Sequence, residues 1–361
     1  MPKALILATE GVSARYKILG KTTLEYILDA LSGVGAEGVF YDLGDWAKDE
    51  GDIFVIPDNL ALVDAGVLTR ARQTHSSGAF ERTAVYGADG STLFWIFSAQ
   101  ALNNEDLSVL THGLEDADEK RGRHYVKEPV FAVKTALDAA KAVVFMKSFV
   151  NARHMENGVI ITDPASAYID VDAVIKEGAV ILPNSYIEGC SEIGREAVIG
   201  PCSRVVSSVI GDGSAAAFSV VIDSKIGAGT NVGPFAYIRP NSKVGDRCKI
   251  GDFVEVKNSS VGDGAKIPHL SYVGDTDVGA GVNIGCGALT VNYDGMKKTR
   301  SIVEDGAFIG CNVNIVSPVT IGEGAYIAAG STITRDVPPD ALAVARERQV
   351  NKAGWRRPDK R

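Results

Sequence analysis

The sequence predicts a two-part molecule. An α/β domain over residues 1–134 is followed by a connector helix over 135–158, an all-β parallel β-helix over 159–336 and a tail over 337–361. Three observations predict it. An aliphatic residue recurs every six positions through most of the C-terminal half. Residues 135–156 lack Gly and Pro and carry apolar residues at helical spacing. Upstream, short apolar runs alternate with a helix-like segment.

The six-residue period comes first because a missed repeat misassigns the whole fold. Ile169, Ile175, Ile181, Ile187, Ile193, Ile199 and Val205 lie in step. After an interruption come Ile226, Val232, Ile238, Val244, Ile250 and Val256, and later Ile309, Ile315, Ile321, Ile327 and Ile333. An α-helix would scatter such positions around its axis. A coil of three short flat faces instead turns each one inward. Gly often follows the aliphatic residue, as at Ile193-Gly194 and Ile321-Gly322, and suits the tight corners. One coil cannot bury its own apolar face, so many must stack.

The connector, TALDAAKAVVFMKSFVNARHME, places Leu137, Ala140 and Val144, then Met146, Phe149 and Val150, at helical spacing. In the N-terminal part, Ala4–Ala8, Gly38–Tyr41 and Asp52–Ile56 read as strands and Thr23–Leu31 as a helix, which favours a mostly parallel sheet. The basic end, Ala353-Gly354-Trp355-Arg356-Arg357-Pro358, is either a solvated terminus or a cover for the last rung or a neighbouring subunit.

Composition narrows the function. With 361 residues and a formal net charge of −8, nothing global supports nucleic-acid binding. No stretch reaches membrane-spanning length, and the opening MPKALILATEG lacks the pattern of a cleaved leader. The five cysteines (Cys190, Cys202, Cys248, Cys286, Cys311) form no CxxC pair, so reduced thiols in a cytoplasmic protein are expected.

Of five histidines, His269 alone falls within the repeats. Arg239 and Lys257 each follow an inward aliphatic residue and lie eighteen positions apart, one coil of three hexapeptides. They are expected one above the other, as a bidentate fork and a point charge suited to a phosphate; a solvated basic ladder is the alternative. Near Asn292-Tyr293-Asp294-Gly295-Met296-Lys297-Lys298 the period breaks, which predicts an excursion from the coil.

The strings GPFAYIRP (233–240), GDFVEVK (251–257), HLSYVGD (269–275), VNIG (282–285), VNYDG (291–295) and GWRRP (354–358) appear in order. Over roughly residues 150–361 they closely resemble the C-terminal half of the bacterial bifunctional UDP-N-acetylglucosamine pyrophosphorylase/glucosamine-1-phosphate N-acetyltransferase family. The resemblance implies a left-handed coil, although parallel crossovers are in general right-handed. It implies His269 as general base, and Arg239, Lys257, Tyr272, Asn283 and Lys298 as sugar-phosphate ligands. It implies Cys286, Asn292, Tyr293, Cys311, Ala329 and Arg346 along an acetyl-CoA channel, Cys286 and Cys311 standing where other members have Ala and Ser. It also implies a homotrimer with shared channels, acetyl-CoA as co-substrate, and N-acetylation of glucosamine 1-phosphate in UDP-N-acetylglucosamine and cell-envelope precursor synthesis. The chemistry suits the residues: an amine attacking a thioester needs a base that works near neutrality.

By the same resemblance, residues 1–134 are a shortened Rossmann-like nucleotidyltransferase domain. The family's Gly-rich phosphate loop corresponds here to Ile6–Lys17, with one Gly and with Glu10 where amides should meet phosphate. Asp58 is left as the candidate Mg²⁺ ligand. The second ligand position falls near Lys134-Thr135, where a Lys repels a cation. Uridylyl transfer is therefore expected to be weak or absent, and Mg²⁺ needed only if that site still works. The rivals are a fully bifunctional enzyme and an inactive scaffold or regulatory module. A zinc enzyme of the γ-carbonic-anhydrase type needs three coil histidines, and only His269 is there.

Overall fold

A computed structural model describes residues 2–8, 17–41, 51–61, 63–87, 91–98, 121–127 and 130–355. It divides into two compact units, Met1–Val150 and Asn151–Arg361.

In the first unit, β1 (Lys3–Leu7), α1 (Thr23–Gly33), β2 (Val39–Phe40), β3 (Asp52–Pro57), β4 (Leu60–Ala61), α2 (Ala65–Ser77), β5 (Arg82–Tyr86), β6 (Thr92–Ser98), β7 (Arg121–Tyr125) and β8 (Phe131–Ala132) follow in order. Six strands form a sheet in the order β2-β1-β3-β6-β5-β7. The parallel sheet expected from the alternation is mixed. The β1–β2, β1–β3 and β5–β7 pairings are parallel, but β6 runs against both of its neighbours. The alternating side chains of β3 feed two cores: Phe54 and Ile56 pack with α1 and α2 residues such as Ile27 and Leu68, Ile53 and Val55 with Leu5, Trp95 and Phe97. A capping box between Thr22 and Glu25 starts α1.

Helix α3 (Ala136–Glu156) is the connector. A Thr135–Asp138 pair closes its first turn. Near its end Asn151 donates to the carbonyls of Pro164 and Ala167 at 3.0 and 3.1 Å, and Arg153 to Val171, which ties this end to the first coil.

The second unit is the predicted β-helix. Its strands, mostly two or three residues long, stack into three parallel faces of ten, nine and eleven strands among the described residues. Every aliphatic position of the six-residue series is buried, and partners lie in register: Ile169 on Ile187, Ile175 on Ile193, Ile181 on Ile199. Burying each such side chain is worth roughly 1.5–3 kcal/mol. The interruption after Val205 is a run of shortened coils. Val205 pairs with Val221, Ile210 with Ile226 and Ala216 with Val232, sixteen positions apart instead of eighteen. The predicted excursion is real: Ile284 pairs with Ile309 and Thr290 with Ile315, twenty-five positions apart. Between them residues 292–300 leave the coil as a short hairpin bridged from Tyr293 to Lys298. Coil pairing continues past residue 336, through Leu342–Ala343 on Tyr326–Ile327 and Thr332 N–H to Ala345 O. Trp355 is exposed, and Arg356, Arg357 and Pro358 lie outside the described residues.

Candidate active site

The coil brings the candidate residues to the two edges of one face, the ten-stranded sheet that includes Tyr237–Ile238, Glu255–Lys257 and Tyr272–Gly274. At one edge Ile238 lies over Val256, so Arg239 and Lys257 are stacked as the eighteen-residue step predicts. Arg239 N–H donates to the Val256 carbonyl at 2.8 Å.

Both cations are already partnered by acids. Arg239 Nη1 lies 2.7 Å from Glu255 Oε1, with its guanidinium over the Tyr237 ring. Lys257 Nζ lies 2.9 Å from Asp275 Oδ2, and Lys298 stands on the hairpin in a bridge to Tyr293. Burial pushes the Asp275 carboxyl up, but hydrogen bonds from Asn258, Lys257 and Asn292 outweigh that and hold it below the usual carboxylate range. Glu255 takes one of the five donors that a guanidinium carries. Both cations are therefore held in place by carboxylates, and any anion that met them would share them with Glu255 and Asp275.

At the other edge stands His269, with its Nδ1 2.5 Å from Asp252 Oδ1. Both side chains are partly exposed. The same corner continues upward by register: His269, then Cys286, Cys311 and Ala329 in successive coils. Arg346 closes the series beside Gly330, whose N–H donates to the Cys311 carbonyl. Asn283 lies on the face before this corner, one coil above Lys266.

Between the edges, Tyr272 lies along the face over Gly274. A Cβ on Gly274 would sit 2.3 Å from Tyr272 Oη, so only glycine lets the ring lie there. Asn292 Nδ2 donates to Tyr272 Oη at 3.4 Å and to Asp275 Oδ2. The Tyr293 hydroxyl folds back on the Gly295 carbonyl.

Of the expected sugar-phosphate ligands, Arg239, Lys257 and Tyr272 thus belong to the face whose edge carries His269, Asn283 lies on the face before that corner and Lys298 on the hairpin. The expected acetyl-CoA residues do not all meet within one chain: Cys286, Cys311, Ala329 and Arg346 follow the His269 corner, whereas Asn292 and Tyr293 stand at the Lys257 corner. The motif reading gave no role to Asp252 or Asp275. Asp252 lies seventeen positions before His269, one shortened coil, so an eighteen-residue step passes over it.

In the first unit, Asp58 ends β3 in a turn where Thr23 Oγ1 donates to its carbonyl at 2.7 Å. The bond from Val133 N–H to Asn59 O at 2.8 Å brings Lys134 into the neighbouring segment. Asp58 is the one carboxylate that the resemblance marks there for Mg²⁺, and the segment paired beside it carries Lys134. Glu10 and most of its loop lie outside the described residues, and no metal-holding cluster occurs among those described. Among the described residues no helix is long and apolar enough to cross a membrane.

The family model for bacterial transferase hexapeptide repeats matches residues 172–207, 223–258 and 300–335, and the coil is a left-handed β-helix of that kind. The chain is 50% identical over 244 residues to the bifunctional protein GlmU of Brevibacillus brevis, covering 67% of this chain and 53% of that protein. It is 44% identical over 265 residues to the bifunctional protein GlmU of Clostridium botulinum, covering 72% and 58%. It spans little more than half the length of these relatives. A UDP-N-acetylglucosamine acyltransferase from Campylobacter jejuni aligns over 52% of this chain and 70% of its own at 19% identity, with a TM-score of 0.29.

Proposed function

Because this chain carries a bacterial transferase hexapeptide β-helix and is GlmU-like in sequence, we propose that it transfers an acetyl group from acetyl-CoA to glucosamine 1-phosphate. The product would be N-acetylglucosamine 1-phosphate, for UDP-N-acetylglucosamine synthesis. The observation that carries this reading is the single face with His269 at one edge and the stacked Arg239 and Lys257 at the other. The phosphate anchors on the cations, with Tyr272, Asn283 and Lys298 as further sugar-phosphate contacts. That anchor turns the 2-amino group toward the imidazole and fixes its approach to the thioester.

His269 takes the proton as the amine nitrogen bonds to the thioester carbonyl carbon. The tetrahedral adduct collapses, the C–S bond breaks, and the CoA thiolate recovers the proton from the imidazolium. Cys286, Cys311, Ala329 and Arg346 line the donor's path along the His269 corner. No cysteine is needed as nucleophile.

The separation of Asn292 and Tyr293 from that corner supports a trimer in which one subunit's hairpin completes its neighbour's donor path. The exposed ladder of Phe218, Phe235 and Phe253, with ring centroids 5.7 and 5.3 Å apart beside the His269 corner, supports the same assembly. Sedimentation that found a fully active monomer would contradict it.

For the first unit we propose no uridylyl transfer, on the poor fit of Asp58 and Lys134 to Mg²⁺. The decisive assay follows CoA thiol release from acetyl-CoA with glucosamine 1-phosphate and with glucosamine. Release that requires the phosphate is expected, and no release with either sugar would overturn the reading.

A further inference from the structure

We propose that Asp252 is the positioning residue that fixes the tautomer and direction of the His269 imidazole. This rests on the acetyltransferase reading for its consequence, but on the coil alone for its geometry.

The two residues end successive strands, Lys249–Asp252 and Lys266–His269, and are direct partners in register. After each, the chain turns through a left-handed residue, Phe253 at φ 55° and Leu270 at φ 44°. Both side chains therefore leave from the same corner one coil apart, and Leu270 N–H donates to the Asp252 carbonyl at 2.9 Å to lock the step. The approach beneath them is close: a Cβ on Gly251 would fall 1.9 Å from the Pro268 carbonyl oxygen. Ser271 Oγ donates to the His269 carbonyl at 2.7 Å and pins the far side of the turn.

With Nδ1 2.5 Å from the carboxylate, the neutral ring carries its hydrogen on Nδ1 and presents the Nε2 lone pair outward. A base must show that lone pair to the amine. A carboxylate behind the ring also stabilises the imidazolium formed when Nε2 takes the proton, without taking the proton itself. The hydrogen bond from His269 accordingly holds the Asp252 carboxyl below its usual range. The other groups facing the pair are Lys249 on Asp252's own strand and Cys286 one coil above His269.

The test compares full-length wild type with D252A, D252N and H269A. In D252A, kcat is expected to fall roughly 10- to 100-fold, part of the 10²- to 10⁴-fold that general base catalysis supplies. KM for both substrates should stay within about twofold. D252N keeps an oxygen for Nδ1–H, so it should show a smaller loss of kcat than D252A. Nitrogen-15 NMR of the ring should find hydrogen on Nδ1 in wild type and a tautomer mixture in D252A, whether or not a substrate turns over. Wild-type kcat in D252A would overturn the proposal, as would an Nε2–H tautomer in the wild-type protein. Undiminished activity in H269A would remove His269 as the base and with it the proposed consequence of Asp252, whereas no CoA release from wild type would overturn the acetyltransferase reading and leave the NMR result standing on its own.

Discussion

The two units use polar side chains differently. In the first, titratable groups near the sheet are spent on one another. His75 Nδ1 shares a hydrogen bond with Thr83 Oγ1, and its other nitrogen faces Asp52, which also holds Arg72 at 2.9 Å. Asp58, the one residue the family pattern marks for chemistry there, sits beside a lysine-bearing segment. In the coil, inward positions are aliphatic almost throughout, so the outward positions are free to carry function. Arg239, Lys257, Tyr272 and His269 stand on corners and faces whose spacing the core has already fixed. A scaffold that separates stability from chemistry by phase can keep a site while the unit in front of it diverges.

The largest effect should come from the coil. His269→Ala is expected to lower kcat for acetyl transfer by 10²- to 10⁴-fold at unchanged stability. A loss below tenfold would remove the contrast between the units. Next, Arg239→Ala should raise KM for the sugar phosphate about 10- to 100-fold with little change in kcat, the worth of a charge-assisted hydrogen bond of roughly 1.5–3 kcal/mol. A matching fall in kcat would place Arg239 in the transition state instead of the ground state.

Acid should then sharpen the comparison through two buried histidines. Burial holds His154, at the coil end of α3, down to about 4, with Arg153 adding to the depression. Burial likewise lowers His75 in the first unit, against a smaller opposing effect of Asp52. For His154 the unfolded chain binds more protons between about pH 6.5 and 4, so stability falls as pH drops through that window. The loss amounts to roughly 3 kcal/mol. Urea midpoints at pH 7 and pH 5 should show about 2 kcal/mol of it, and His154→Gln should flatten the slope for the unit that unfolds with α3. An unchanged slope in that variant would assign the acid sensitivity to His75 and the first unit. The smallest effect is the sharpest test: Asp58→Asn should leave CoA release unchanged, and wild type should release no pyrophosphate from UTP, Mg²⁺ and N-acetylglucosamine 1-phosphate. Asp58-dependent pyrophosphate release would break the comparison outright.

Much of the coil was legible because its period is a direct readout of burial. Ile169 through Ile333 were identified by phase, and the same phase stacked Arg239 on Lys257. The break at 292–300 was visible as lost periodicity. Less legible were the sixteen- and seventeen-residue coils, because a shortened corner leaves no mark on the aliphatic pattern beyond a change of register. Asp252 fell into that gap: one coil beneath His269 is seventeen positions, not eighteen. The acidic partners Glu255 and Asp275 were hidden for another reason, since charge pairing depends on which side chains share an outer face. In the first unit the antiparallel β6 was not predicted, because a short apolar strand carries no sign of its direction.

The corner that runs His269, Cys286, Cys311, Ala329 also acts as a ruler. Parallel strands in register repeat every 4.7–4.9 Å, so positions along this edge are graduated in whole coils counted from the base. An extended donor laid against it, as the proposed function requires, would be measured off in the same steps. Exchanging one side chain alters a single graduation and leaves the others in place, since the buried ladder sets the spacing. On the proposed acetyltransferase reading, a substitution at Cys311, about two graduations from the imidazole, would retune donor length and bulk without moving the imidazole.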